Sequence, residues 1–159
     1  MKITLHTHFG ASFCKMRIKN KTYSVNDIYK LDSIPFTGRG CCTAIMDTGI
    51  YPHIDLADHI TYFKDFVNQR LSAYDDNSHG THVAGIIAGS GYSSQGIIKG
   101  MAPGCKIIAL KILDKKGSGD KDSLLFACDW VRLNHKKYGI KIVNISIGSD
   151  TSDCDEEKD

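Results

Sequence analysis

Two histidines three residues apart, His79 and His82, open an apolar run rich in glycine and alanine, YDDNSHGTHVAGIIAG (74–89). Histidines in such a setting ligate a metal, act as a general base, or do no chemistry and simply sit hydrogen-bonded on a helix face. A zinc-protease helix needs HExxH, with its histidines four apart and a glutamate between them. Here the spacing is three and the pair between is Gly-Thr. Asp75 and Asp76 lie close by, but no standard ligand set forms and no metal site is assigned. For His82 a structural place on the helix face suffices. His79 falls at the first turn of the expected helix, where the positive end of the helix dipole disfavours imidazolium and keeps the ring a neutral base. Gly80 beside it removes a side chain and permits close backbone approach. A buried aspartate at a strand end could hold and orient such an imidazole, as in a hydrolase triad. Asp47, near the end of CCTAIMDTG (41–49), is such an aspartate.

The elements that would carry these groups follow from apolar runs and their punctuation. CCTAIMDTG reads as a short buried strand that stops at Asp47-Thr48-Gly49. HITYFKDFV (59–67) is a second strand. A helix begins near His79, capped by Ser78 or Asn77, with Val83, Ile86 and Ile87 on one face. CKIIALKIL (105–113) is a third buried strand, followed by the turn DKKGSGD. Residues 121–137 have the spacing of an amphipathic helix, with Leu124, Leu125, Ala127, Cys128 and Val131 inward. IKIVNISIG (140–148) is a fourth strand. Buried strands alternating with helices imply an α/β fold with a parallel sheet built from βαβ units. Sites in such sheets lie at the carboxyl ends of strands, where Asp47 and the segment Ser146–Gly148 both fall. The clustered acids of SDTSDCDEEKD (149–159) have the composition of a first helical turn with no apolar face after it.

Composition removes several function classes. The 159 residues suit one domain, and no run of 18 apolar residues is present, so no membrane contact through a spanning helix is expected. The first residues, MKITLHTHFGASFCKMRIKNK, lack the apolar core of a secretory signal, which gives a cytoplasmic expectation. Net charge is +2 and no basic stripe with interleaved aromatics occurs, so nucleic acid is not an expected partner. The six cysteines (14, 41, 42, 105, 128, 154) form no CxxC and several lie in apolar segments, so they are read as reduced core thiols.

Four segments, in order, resemble one family. AIMDTGIYPHIDL (44–56) is similar to the aspartate motif of the subtilisin-like serine proteases, and DDNSHGTHVAGIIAG (75–89) to their histidine motif. GMAPGCKIIALKILDKKGSG (100–119) resembles their core strand and substrate-binding segment. IVNISIG (142–148) resembles the strand that ends at the specificity pocket. The wording is most similar to intracellular bacterial subtilisins. The resemblance implies a subtilisin-like three-layer sandwich with a mostly parallel central sheet, incomplete at the C-terminus. Residues 1–40 would be an N-terminal extension and 41–159 the N-terminal part of the peptidase domain. It implies Asp47 as the triad aspartate and His79 as the general base, with His82 structural. Gly117, Ser118 and Gly119 would form one substrate edge, and Ser146, Ile147 and Gly148 the opposite edge and a pocket wall, so that a peptide or protein substrate adds as a strand. Asp55 matches a position that helps hold calcium in some members. The loop GSGYSSQGIIKG (89–100) departs from the usual calcium-loop wording, so no cofactor is assigned and calcium is the single candidate.

The family's Gly-Thr-Ser motif and its oxyanion asparagine do not occur in these residues. Acyl transfer needs the nucleophile, its base, and donors aimed at the oxyanion. The expectation is therefore a serine endopeptidase by family, in a truncated chain that is inactive alone and pairs with a C-terminal fragment of the same protease. The alternative is a pseudoprotease or half-domain that binds peptides or a partner protein.

Overall fold

The computed structural model describes residues 2–4, 15–18, 21–24, 30 and 33–149. Four strands form one parallel sheet in the order β5-β6-β4-β8: β4 (Cys42–Asp47), β5 (Ile60–Asp65), β6 (Lys106–Lys111) and β8 (Ile140–Ile145). Each strand expected from an apolar run is present. Two helices cover the sheet, α1 (His79–Ala88) on one face and α2 (Lys121–Tyr138) on the other, which gives three layers. Alternation along the strands divides the core. Ala44, Met46, Ile108 and Leu110 face α2, while Ile45, Ile107 and Ala109 face α1.

The helices form for local reasons. Asp120 caps α2, its Oδ1 accepting the Ser123 N–H at 2.7 Å. Gly139, in the left-handed region at φ 64°, closes it behind His135, Lys136 and Lys137, whose positive charge suits a helix C-terminus. Trp130 of α2 stacks on Tyr62 of β5 with ring centroids 5.0 Å apart, and on Tyr138 at 5.5 Å.

Three expectations about faces are corrected. In α1 the buried residues are Gly80, Ala84 and Ala88; Val83 and Ile87 flank them, but Ile86 is exposed. The helix lies so near the sheet that only small side chains fit beneath it. In α2, Ser123 and Ala127 are buried with Leu124, Trp130 and Val131 beside them, whereas Leu125 and Cys128 are exposed. The fourth strand is not buried along its length: Ile142, Val143 and Ile145 of β8, the end strand of the sheet among the described residues, are exposed. The expected first helical turn in the acidic tail, with Cys154, lies outside the described residues, as does Cys14.

The segment before the sheet contributes structure of its own. Strands β2 (Lys15–Ile18) and β3 (Lys21–Ser24) pair as an antiparallel hairpin. Strand β1 (Lys2–Thr4) lies between β7 (Ser118–Asp120) and β9 (Gly148–Ser149), antiparallel to both. The described cysteines 41, 42, 105 and 128 are free thiols. Burial pushes the Cys42 thiol up and outweighs the opposing hydrogen bond with Thr61, so Cys42 stays protonated and behaves as a core residue.

Leu110, wholly buried between β4, β5 and α2, tests this core. Leu110→Ala is expected to cost about 2–5 kcal/mol of stability. A urea titration should show a lower midpoint with an unchanged slope.

Candidate active site

Strand β4 is paired on both sides, so its last residue is delivered to the carboxyl end of the sheet with little freedom. That residue is Asp47, and its side chain is 1% exposed. Its Oδ1 accepts the Thr48 N–H at 2.7 Å. His79, the first residue of α1, brings its Nδ1 to 2.8 Å from Asp47 Oδ1 and 3.0 Å from Oδ2. The carboxylate assigns the proton to Nδ1, because two acceptors facing each other would leave an unmade bond. Nε2 is then the lone-pair nitrogen, on a ring whose side chain is 23% exposed. An imidazole oriented this way can accept a proton at Nε2, and the carboxylate stabilises the cation that forms.

Two glycines allow the approach. A Cβ on Gly80 would run into the Gly49 carbonyl oxygen, and a Cβ on Gly49 into that of Tyr74. Gly49 also has φ 124°, a backbone region that other residues rarely adopt. The start of α1 is capped only in part as expected. Ser78 sits in the left-handed region and makes no side-chain cap, while Asn77 Oδ1 accepts the His79 N–H at 3.3 Å. The main capping groups come from elsewhere: Thr48 Oγ1 accepts the Gly80 N–H at 3.0 Å, and Asp75 Oδ2 accepts the Thr81 N–H at 2.9 Å.

Asp75 ties the two halves of the site together. Its carboxylate also accepts from Thr48 Oγ1 (2.9 Å), Thr81 Oγ1 (2.6 Å), the Ser78 N–H (2.9 Å) and the Asn77 N–H (3.1 Å). Burial pushes this carboxyl up, but the hydrogen bonds outweigh it and hold Asp75 below the ordinary carboxylate range. Beside His79 in the sequence, Asp75 reads only as a possible metal ligand. A carboxylate four residues before a helix-starting histidine was the available signal for a capping role. Among the described residues no group of three His, Cys, Asp or Glu side chains could hold a metal ion.

The other expected positions divide as follows. His82 is exposed. Gly117, at φ 73°, ends the turn in which Asp114 Oδ1 accepts the Lys116 and Ser118 N–H groups. Ser118 and Gly119 lie in β7 and Gly148 in β9, the two strands flanking β1. Ser146 accepts a hydrogen bond from Asn144 Nδ2 at 3.0 Å, and Ile147 packs on the α2-side core. Asp55 Oδ1 accepts the Ser93 N–H at 2.8 Å, joining the loop after α1 to the turn after β4.

Comparison with known sequences decides the family: residues 38–159 match the Subtilase family, Peptidase_S8. The chain belongs to the subtilase family. This subtilase chain is 43% identical over 126 residues to the serine protease AprX of Bacillus subtilis (strain 168), covering 77% of this chain and 28% of that protein. It is 40% identical over 113 residues to subtilisin Savinase of Lederbergia lenta, covering 71% of this chain and 39% of the other. Among solved structures it is similar to a cold-adapted subtilisin-like serine proteinase, with TM-score 0.56 and 28% identity, over 76% of this chain and 38% of that one. The subtilase chain thus spans between about a quarter and two-fifths of the length of these relatives. The subtilisin-like fold expected from the sequence is the one found.

The depressed Asp75 carboxyl has a sign that can be checked. Unfolded, it titrates near the ordinary value of about 3.9; folded, it titrates lower. Its contribution to stability is therefore complete above pH ~4 and is lost as pH falls through the folded value. Asp75→Asn should be less stable at pH 7 and show a shallower acid limb in unfolding free energy against pH. Parallel curves for the two proteins would remove Asp75 from the junction.

Proposed function

We propose that this subtilase chain is the N-terminal part of the catalytic domain of a serine endopeptidase. The observation that supports it is the contact of His79 Nδ1 with buried Asp47, which leaves Nε2 as a base. In this reading His79 takes the proton from a serine hydroxyl as the oxygen attacks a peptide carbonyl. The same proton then passes to the leaving amine, and an acyl-enzyme remains for water to hydrolyse. Asp47 keeps the ring oriented and stabilises the imidazolium that forms. The 159 residues contain no Gly-Thr-Ser, so in this reading the serine and the oxyanion donors come from the C-terminal remainder of the same domain. Gly117–Gly119 and Ser146–Gly148 are the two backbone edges for the substrate strand.

Combining the chain with the C-terminal remainder of a subtilase domain should restore fluorophosphonate labelling of the serine on that remainder. His79→Ala in the assembled protein should then lower kcat by roughly six orders of magnitude, the loss known for a subtilisin stripped of its base or nucleophile. Hydrolysis unchanged by His79→Ala, or labelling of the 159-residue chain alone, would contradict the proposal.

A second reading, a half-domain that binds peptides or a partner protein, is favoured by β1. An extended segment of the same chain already lies between β7 and β9, antiparallel to both, so these strands accept a third. Deleting residues 1–5 should strengthen binding of a labelled extended peptide, read by fluorescence anisotropy. If β1 fills the groove in about nine molecules of ten, the apparent affinity rises about tenfold. An affinity unmoved by the deletion would speak against strand capture at this groove.

A further inference from the structure

Lys111 is wholly buried, the only lysine or arginine so placed among the described residues. It lies on β6 directly beside Asp47 in the parallel register and on the same face of the sheet, where Ile107 and Ala109 precede it. Burying an ammonium costs several kcal/mol unless every donor is matched. Here all three are matched, on three different segments. Nζ donates to the Thr48 carbonyl oxygen at 2.6 Å, in the turn that follows Asp47. It donates to the Leu113 carbonyl oxygen at 2.7 Å, on the segment running to Gly117–Gly119. It donates to Asp76 Oδ1 at 2.7 Å, in the loop that runs into His79. The Tyr74 ring closes over it with its centroid 5.1 Å away.

Stability alone gives no reason for this lysine, because well-packed apolar residues often replace buried ion pairs at no loss. Geometry gives one: a tetrahedral ammonium with three fixed acceptors sets three points relative to one another. We propose that Lys111 is a positioning residue, whose ammonium fixes the Asp47 turn against the loop that delivers His79. This rests on the reading of Asp47 and His79 as an orienting carboxylate and its base. A purely structural lysine would change how much free energy unfolding takes, and leave the pair's own hydrogen bond as it is.

The test is nuclear magnetic resonance on the chain with ring-labelled histidine, following the far-downfield Nδ1 proton of His79 and its exchange with water. In Lys111→Met, similar in length but without donors, that proton should shift upfield and exchange about tenfold faster, while far-ultraviolet circular dichroism shows a folded chain. Should Lys111→Met not fold, Asp76→Asn removes only the counter-ion, on a side chain 34% exposed, and should move the same proton in the same direction. An unchanged shift and exchange rate in whichever variant folds would overturn the proposal. The readout does not depend on proteolysis. An inactive assembled protein with a Lys111-dependent proton would refute the protease reading and leave the positioning role standing.

Discussion

Two backbones touch where β4 ends and α1 begins, and the site depends on that contact. Gly80 packs against Gly49 with no side chain between them. Any Cβ there would push the helix off the sheet, and His79 is the residue immediately before Gly80. The 2.8 Å contact between His79 and Asp47 is thus set by main-chain packing before either side chain contributes. Interiors packed as densely as crystals do not relax to absorb such a displacement.

Around that contact the polar groups form a connected set. Thr48 passes its hydroxyl hydrogen to Asp75 and receives the Gly80 N–H, and Asp75 gathers the N–H groups of Asn77, Ser78 and Thr81. Tyr51 N–H closes the loop on Thr81 Oγ1 at 2.9 Å. A connected polar network of this kind, part-buried here, holds one arrangement when every member is satisfied. Among the described residues no buried side-chain nitrogen or oxygen is left without a partner. The wide spacing of the contributors, from Asp47 to Thr81, means that the site forms only when β4, the loop at 74–78 and α1 are all in place.

The sheet was legible because its strands are short apolar runs bounded by turn residues, a pattern that local chemistry writes directly. The pair Asp47 and His79 was legible because a strand-end aspartate and a helix-start histidine fall in familiar wording. The inner face of α1 was not. Hydropathy favours Ile86, but the helix presses on the sheet through Gly80, Ala84 and Ala88, and close approach selects small residues over apolar ones. Of the two caps the sequence offered, Asn77 takes part and Ser78 does not, because the left-handed backbone of Ser78, and the reach of Asp75 and Thr48, are tertiary facts. The place of β1 between β7 and β9 joins residues more than a hundred positions apart, which no periodicity encodes. Lys111 left a trace, a lysine inside CKIIALKIL, whose meaning depends on three acceptors from three segments.

The thinness of the layer under α1 also has a mechanical side. A helix held off a sheet by leucines rides on side chains that can change rotamer, and so can shift by fractions of an ångström at small cost. One resting on glycine and alanine has no such spring beneath it. The imidazole of His79 is carried at the end of a stiff mount, and its own two torsions are nearly the whole of its compliance. A proton acceptor mounted this way stays aimed along one line, and its partner must come to it.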